Sequence, residues 1–227
     1  MQAYHFLSAL NAVDNLKERR IKISRLEDLN DPFELMWMEL PDKEDRKAFR
    51  KAKKNISAEY GVICFSKDWS NPVLWSHYAE KHRGVCLGFD IPDDSVIHVQ
   101  YTAKRPVWNI RDGFGRVTID KKSMNVLLET KYKAWEYEDE IRILVELKEQ
   151  DKIELYFKEF DKNFVLREVV LGARCQKDMA EEVQSALRNY EKGVNLIQGR
   201  LSFKSFKIVK DKLRTRRFLN HKSQRTR

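Results

Sequence analysis

The sequence predicts an α+β fold, a single domain on a mixed, largely antiparallel sheet, and three observations support this prediction. Short apolar segments alternate with amphipathic helical segments, in an order too irregular for a doubly wound parallel sheet. The 227 residues, 42% of them hydrophobic, are enough to bury a sizeable core. No internal repeat and no linker rich in glycine, serine and proline divides the chain.

Each predicted strand is a short run in which apolar residues alternate or dominate. The run DEIRILVEL alternates Ile141 and Ile143 with Arg142, which predicts one buried face and one outward face that carries Arg142. The predicted strands are residues 3–7, 20–24, 61–66, 84–90, 95–101 and 139–147, followed by the segments KIELYF, FVLREVVLG, VNLIQ and SFKIV.

The predicted helices have apolar residues at spacings of three and four positions, or are strongly charged. Ser8 is placed to cap a first helix that carries Leu10, Val13 and Leu16 on one face. Pro72 suits the first turn of a later helix. The other predicted helices are residues 41–58, which we expect on the surface, 71–80, 120–134 and 176–190.

The excess positive charge is concentrated at the C-terminal end. The formal net charge is +9, and residues 200–227 contain eleven Lys and Arg against a single acid. Such a segment attracts a phosphate backbone, although a solvated tail that only aids solubility is the alternative. The predicted nucleic-acid contacts are Lys212, Arg214, Arg216 and Arg217. We therefore expect an α+β domain over residues 1–199, then a last strand and a basic tail over residues 200–227.

The composition favours a cytoplasmic protein without membrane contact. No apolar run approaches the roughly 20 residues that cross a bilayer, and the first residues, MQAYHFLSAL, lack a basic leader and a cleavage site. Cys64, Cys86 and Cys175 are odd in number and widely separated, which fits reduced thiols better than disulfides.

Four acidic residues are crowded before a predicted strand, in the segment KYKAWEYEDEIRILVEL. Glu138 and Glu140 are two positions apart, so their side chains should lie on one side, away from the main core. Two carboxylates this close should raise the pKa of at least one of them. The alternative is an ordinary solvated strand entrance, with Arg142 or Lys133 as a partner.

Other polar residues stand where apolar ones would be expected. His5 lies inside the first predicted strand, for which a half-buried structural histidine is the alternative. Asn30, Asp31 and Glu34 surround a proline in NDPFE, where an Asx-turn is the alternative.

Familiar cofactor motifs are missing from the sequence. It contains no glycine-rich phosphate loop and no nucleophile elbow. His77, His82 and Cys86 have a spacing that could suit zinc, but the strand pattern places Cys86 in the core. We therefore predict no metal site.

Several segments together resemble an uncharacterised bacterial family, domain of unknown function 2971. The most specific are WSHYA followed by HRGVCLGF, and the pattern W-x-Y-E-x-E-x-R that begins at Trp135 and ends at Arg142. The resemblance runs approximately from His5 to Tyr190, and the family brings no assured activity.

The order of elements is also similar to an ADP-ribosyltransferase fold of the class named for His, Tyr and Glu. In that class a histidine lies on the first strand, a strand ending in a small residue leads to a helix with a tyrosine, and a glutamate opens a later strand. The matching residues are His5, Ser66, Tyr78 and Glu140. Glu138 and Glu140 also form the Glu-x-Glu of the related Arg-Ser-Glu class, although His5 stands where that class has arginine.

The resemblance implies an enzyme that consumes NAD and transfers ADP-ribose to RNA, DNA or protein, as a toxin or phage-defence effector does. Glu140 would face the positive charge that grows on the ribose as nicotinamide leaves, and Glu138 would orient or deprotonate the acceptor. The implied NAD-binding residues are His5, Ser66, Tyr78, Asn30 and Asp31. No metal is required, and a toxin would need a neutralising partner protein.

Two other functions stay open from the residues alone. A metal-dependent nuclease would gather a divalent ion with the four acids Asp31, Glu34, Glu138 and Glu140. A non-catalytic module that binds nucleic acid or protein would use these acids only for structure.

Overall fold

The computed structural model describes residues 1–36, 38–105, 111, 121–148, 150–151, 154–190 and 193–215. Within them, helices and strands are interleaved and most strand pairs are antiparallel, which confirms the predicted α+β class with a mixed sheet. The strands are β1 (Gln2–Leu7), β2 (Arg20–Arg25), β3 (Tyr60–Ser66), β4 (Val85–Asp90), β5 (Ile97–His98), β6 (Gln100–Thr102), β7 (Thr130–Tyr132), β8 (Glu140–Glu146), β9 (Tyr156–Glu159), β10 (Val165–Leu171), β11 (Asn195–Leu201) and β12 (Ile208–Lys210). The α-helices are α1 (Ala9–Glu18), α2 (Lys43–Glu59), α3 (Pro72–Tyr78), α4 (Lys121–Glu129) and α5 (Lys177–Ala186).

The chain forms two compact units that alternate along the sequence. The first unit contains the described residues of Met1–Ile21, Phe65–Asp94 and Lys158–Arg227. The second unit contains those of Lys22–Cys64 and Ser95–Phe157. The boundary predicted after residue 199 stays a prediction.

The first unit is organised around β4, whose sequence VCLGFD is almost entirely buried. Strands β1 and β10 flank β4 and are both antiparallel to it. Strand β11 is parallel to β10, and β12 completes this edge as an antiparallel neighbour of β11. Apolar side chains from these strands, from α3 and from the residue after it form one core cluster: Tyr4, Trp75, Ala79, Cys86, Val170, Ile197 and Ile208.

Two helices of the first unit begin where the sequence predicts. The Ser8 hydroxyl accepts a hydrogen bond from the Asn11 N–H at 3.1 Å, which caps α1. Pro72 occupies the first turn of α3, and the Asn71 side chain accepts from the Val73 N–H at 2.9 Å. These polar caps satisfy N–H groups that have no partner inside the helix.

The second unit contains the strands that carry the acidic residues. Strand β3 is antiparallel to β2, β8 pairs with β3 and with β5, and β6 is parallel to β7. Helix α2 was expected on the surface, but it buries Phe49 and Ile56 against this unit. The apolar core of this unit contains the buried residues Leu26, Leu35, Met38, Phe49, Ile56, Val62, Leu127 and Leu128.

Several predicted elements differ in extent from the structure. The helix predicted over 120–134 ends at Glu129, where β7 begins. The strand predicted over 95–101 is divided into β5 and β6. Of the segment SFKIV, only the end belongs to β12, because the preceding residues close the β11–β12 hairpin through a Ser202 N–H to Lys207 carbonyl bond of 3.0 Å.

Two further sequence predictions concern the cysteines and membrane-spanning helices. Cys64, Cys86 and Cys175 form no disulfide, in agreement with the predicted reduced thiols. Within the described residues, no helix combines the length and the apolar character that a bilayer crossing requires.

Candidate active site

Glu138 and Glu140 approach each other because the chain changes conformation between them. Glu138 ends a 3-10 helix, Lys133–Glu138, and Glu140 is the first residue of β8. Asp139 has a positive φ of 41°, a left-handed conformation that aspartate tolerates better than most residues. The predicted opening of a strand by Glu140 is confirmed.

Lys131 on β7 holds the two carboxylates together. Its Nζ donates to Glu138 Oε2 at 2.5 Å and to Glu140 Oε2 at 2.8 Å. All three side chains are buried, with exposed fractions of 7% or less. An ammonium shared by two carboxylates removes the repulsion that would otherwise keep them apart.

Arg142 holds the same carboxylate from within β8. Its Nε donates to Glu140 Oε1 at 2.8 Å and its Nη2 donates to Glu140 Oε2 at 3.1 Å. Its Nη1 reaches Glu34 Oε1 at 2.6 Å and the Leu128 carbonyl at 3.1 Å. A guanidinium suits this role because its planar fork matches a carboxylate in a bidentate pair. We call Glu34, Lys131, Glu138, Glu140 and Arg142 the buried charge network.

The charge network keeps Glu140 ionised. Burial alone would raise the pKa of Glu140, but the Arg142 guanidinium and the Lys131 ammonium outweigh it and lower this pKa from 4.5 to about 2. The expectation that crowding raises a pKa is therefore wrong for Glu140. The sequence pattern showed the crowded acids and suggested Arg142 as a partner, but it did not reveal Lys131.

The other members respond to the same fields. Burial alone would lower the pKa of Lys131, yet Glu140 and Glu138 raise it above its usual value. Burial of Tyr101 raises the pKa of its hydroxyl to about 12, and this hydroxyl accepts a hydrogen bond from the Glu140 N–H at 2.9 Å. Burial and the Glu140 carboxylate raise the pKa of the Cys64 thiol. Near neutral pH, Tyr101 and Cys64 are therefore neutral neighbours of a charged cluster.

The solvated strand entrance is wrong for these acids, and so is the outward direction of Arg142. Glu138 and Glu140 have exposed fractions of 5% and 4%, and Arg142 has 0%. The side of β8 opposite its apolar face is covered rather than solvated, because carboxylates of the same unit pair with Arg142 there. Arg142 was a correct choice of partner, whereas Lys131 takes the place suggested for Lys133.

The loop NDPFE contributes to the second unit in the way that an Asx-turn predicts. Asp31 is buried, and its Oδ1 accepts from the Phe33 N–H at 2.9 Å. The Glu34 N–H donates to the Asp31 carbonyl at 2.9 Å, which directs the Glu34 side chain to Arg142. Asn30 is exposed at the start of this loop.

A pocket of about 220 Å³ opens beside the charge network in the second unit. Lys131 and Glu34 belong to both the network and the pocket wall. The other lining residues are Asp31, Phe33, Met36, Thr102, Ala103, Lys104, Arg105, Thr130 and Tyr132. Phe33 is half exposed, and the Arg105 guanidinium lies over its ring, 4.8 Å from the ring centroid.

The predicted NAD-binding residues are divided between the two units. His5, Ser66 and Tyr78 belong to the first unit, whereas Asn30 and Asp31 belong to the second unit together with Glu138 and Glu140. His5 on β1 makes an edge contact with Phe65, with ring centroids 5.8 Å apart. Ser66 ends β3 and its hydroxyl donates to the Asp68 carbonyl at 3.1 Å, while Tyr78 is the last residue of α3.

Two of the four residues predicted to contact nucleic acid lie in the part of the chain that the structure describes. Lys212 and Arg214 are exposed on a single helical turn, residues 212–215, which Asp211 caps by accepting from the Leu213 and Arg214 N–H groups at 3.0 Å each. Arg216 and Arg217 lie outside the described residues. Their predicted roles therefore rest on the charge of the sequence.

Lys131 is a site residue that sequence reasoning missed, and Glu34 was considered only as a metal ligand. The signal for Lys131 was its place seven and nine positions before two acids, but a spacing across a strand and a 3-10 helix predicts no contact. Among the residues that the structure describes, no group of three or more His, Cys, Asp and Glu side chains could hold a metal ion. Cys86 lies buried in β4, as predicted.

The pKa of Glu140 predicts an acid-sensitive stability. Because this pKa is lowered on folding, the ionised group contributes about 3 kcal/mol at pH values above 4.5, and this contribution is lost as the pH falls towards 2. Between about pH 6 and about pH 3, Glu140 should account for about 2 kcal/mol of lost unfolding free energy. Urea unfolding at both pH values should therefore show a smaller loss for Glu140→Gln than for the wild type. Equal losses in the two proteins would contradict a lowered pKa at this position.

Comparisons with known proteins support one resemblance. No curated protein and no solved structure matches the chain. The family model described as "Protein of unknown function (DUF2971)" matches residues 74–143, a segment that includes most of α3, all of β4 and the start of β8. Over this segment the chain is similar to the family that the sequence pattern predicts, domain of unknown function 2971.

Proposed function

We propose that this protein is an NAD-dependent ADP-ribosyltransferase of the kind found in toxins and phage-defence effectors, with Glu140 as the carboxylate that stabilises the transition state. One observation carries the proposal: a buried carboxylate with a pKa of about 2 is held in a fixed orientation and is linked through Lys131 to a pocket. Fixed charges in a site that excludes water stabilise developing charge without reorganising.

The charge balance of the network favours a positively charged partner. Three carboxylates face two cations, which leaves one net negative charge. Asp31 and Lys53 lie next to Glu34 and carry opposite charges, so they do not alter this balance. When the bond between nicotinamide and ribose breaks, nicotinamide leaves with the electron pair and positive charge grows on the ribose carbon. A cluster with a net negative charge stabilises this charged state more than it stabilises the uncharged ribose of bound NAD.

Each role in the reaction has a candidate residue. Arg142 Nε continues to donate its hydrogen bond to Glu140 Oε1. A ribose hydroxyl replaces Lys131 Nζ as a donor to Glu140 Oε2. Glu138 accepts the proton of the acceptor nucleophile as that nucleophile bonds to the ribose carbon. The roles of His5, Ser66 and Tyr78 in binding NAD rest on the resemblance to ADP-ribosyltransferases alone.

The pocket suits one end of a dinucleotide. Its volume of about 220 Å³ is below the roughly 300–1,000 Å³ of drug-sized sites, so it would take one ring and its sugar rather than the whole cofactor. Phe33 and Tyr132 are each 54% exposed and offer ring faces for stacking. Lys104 and Arg105 line the same pocket and supply positive charge for phosphates.

The first test is release of nicotinamide from NAD by the full chain, in the presence of candidate RNA, DNA and protein acceptors. Glu140→Gln keeps the side-chain volume but removes the charge, and the rate should fall by about 100- to 1,000-fold. Glu146→Gln is the matched control, because it makes the same change at the exposed end of β8 and should leave the rate unchanged. Nicotinamide release that survives in Glu140→Gln at the wild-type rate would overturn the proposal.

A second variant separates catalysis from folding, since Glu140 also stabilises the protein. Phe33→Ala removes a half-exposed pocket side chain without touching the charge network, and it should raise the KM for NAD while leaving thermal stability unchanged. Mass spectrometry of RNA, DNA and protein from cells expressing the wild type, but not Glu140→Gln, should then identify the acceptor.

One observation favours a second candidate, a binding module in which the acids are structural. Both oxygens of Glu140 already accept hydrogen bonds from Arg142 and Lys131, as in a cluster that only holds the fold. A wild-type protein that releases no nicotinamide with any acceptor would favour this function. A metal-dependent nuclease would instead show nucleic-acid cleavage that EDTA abolishes.

A further inference from the structure

The β11–β12 hairpin ends in a loop of fixed shape, residues 202–207. The Ser202 N–H donates to the Lys207 carbonyl at 3.0 Å, and the Lys207 N–H donates to the Ser205 carbonyl at 2.9 Å. The Ser202 hydroxyl accepts from the Lys204 N–H at 3.1 Å and from the Ser205 hydroxyl at 3.2 Å. The loop therefore closes on itself through its own backbone and serine hydroxyls.

The base of the hairpin is anchored in the first unit. Ile208, which follows the loop, is 1% exposed and packs in the same core cluster as Trp75. The Ile208 N–H also donates to the Ser70 carbonyl at 2.8 Å. Across the hairpin, Leu201 pairs with Ile208 in the antiparallel register. Because the base is fixed, the loop is presented on a rigid support.

Two phenylalanines of this loop point into solvent. Phe203 and Phe206 are each 97% exposed, although a phenylalanine ordinarily gains about 1.5–3 kcal/mol from burial. The Arg200 guanidinium lies 5.6 Å from the Phe203 ring centroid. Full exposure of two aromatic rings on one short loop is unusual for a surface with no binding role.

The rings are surrounded by positive charge. From Arg200 to Thr215 the chain has six Lys and Arg and one acid, Asp211. Lys204 and Lys207 alternate with the two rings along the loop, and Lys207 lies 4.0 Å from Asp68, at the limit of an ion pair. A surface that combines a positive field with exposed ring faces complements a ligand that carries both phosphates and planar bases.

We propose that the hairpin loop binds single-stranded nucleic acid, with unpaired bases stacked on Phe203 and Phe206 and the backbone phosphates held by the basic residues around them. Single strands expose base faces that a duplex keeps inside its stack, and stacking accepts any base. An anionic lipid surface would also attract the basic residues, but insertion into lipid requires only apolar side chains, whereas stacking on bases requires aromatic rings. This binding does not depend on NAD chemistry.

The test is the affinity of the full chain for a labelled single strand of about 20 nucleotides, RNA and DNA, with no NAD present. Phe203→Ala and Phe206→Ala should each weaken binding about tenfold, which corresponds to about 1.4 kcal/mol of stacking free energy. Both side chains are fully exposed, so neither variant should unfold. Phe→Tyr at both positions should keep the affinity, and Phe→Leu at both should lose it, because leucine keeps apolar volume but has no ring.

Two further variants and two other ligands complete the test. Leu10→Ala removes another exposed apolar side chain of the first unit and should leave affinity unchanged. Lys204→Ala should lower the slope of log affinity against log salt by about 0.7. Equal affinity for a duplex of the same length would overturn the proposal, and so would unchanged affinity in a variant that combines Phe203→Ala with Phe206→Ala. The proposal would also be overturned if the variant with leucine at both positions bound phosphatidylserine–phosphatidylcholine vesicles as the wild type does and kept the wild-type affinity for the single strand.

Discussion

Replacing Arg142 with methionine is expected to lower the free energy of unfolding by about 3–5 kcal/mol. Arg142 is completely buried and pairs with Glu140 and Glu34 at 2.8 Å and 2.6 Å. Methionine fills similar volume, but it leaves these two carboxylates without their shared cation in a region that water does not reach. The penalty is the desolvation of unpaired charge rather than the loss of an attractive contact alone.

Urea unfolding of the wild type and Arg142→Met measures this effect at neutral pH. Arg167→Met is the matched control, because Arg167 pairs with Asp90 at 2.6 Å but both side chains are almost half exposed. That pair should contribute less than about 1 kcal/mol. If Arg142→Met costs no more than Arg167→Met, the buried network is not the stabilising element that its geometry indicates.

Local patterning was sufficient to find most elements and to place Glu140 at the start of a strand. The alternation of Ile141 and Ile143 fixes the apolar face of β8, and Ser8 and Pro72 mark the starts of two helices. These features depend on residues close together in sequence, so local sequence patterns are sufficient to predict them.

The environment of the charges could not be predicted in the same way. Alternation indicates that Arg142 lies opposite the apolar face, but it does not indicate that this opposite face is covered. Glu34 lies 108 positions before Arg142, and their contact depends on how the NDPFE loop packs in the second unit. The buried pair therefore follows from tertiary packing, which reversed the predicted exposure and lowered the pKa of Glu140.

The hairpin loop shows the opposite failure. The segment SFKIV, residues 205–209, is predicted as a strand, yet Phe206 lies in the loop before β12 and is exposed, as is Phe203 just before this segment. Period-two patterning cannot separate a half-buried strand from a loop whose aromatic residues serve binding. The exposure of these rings thus becomes informative only once the fold is known.

Removing Lys131 is expected to have the second large effect, because this ammonium neutralises Glu138 and Glu140 together. Lys131→Met should lower the free energy of unfolding by about 3 kcal/mol near neutral pH. This loss of stability is expected at neutral pH because folding raises the pKa of Lys131. The stability that the charged ammonium contributes is present below pH 10.5 and is lost only at more alkaline pH.

A double-mutant cycle tests whether this cost arises from unpaired charge. Glu138→Gln removes one of the two carboxylates that Lys131 neutralises, so the double variant should be more stable than the two single effects predict, by about 2 kcal/mol. Lys158 and Asp161 form a partly exposed pair at 3.2 Å, and the same cycle there should give less than about 1 kcal/mol. Additive effects at Lys131 and Glu138 would mean that the short contact carries little coupling. Glu138 would then be available to the acceptor nucleophile at little cost, because releasing its bond to Lys131 would take little free energy.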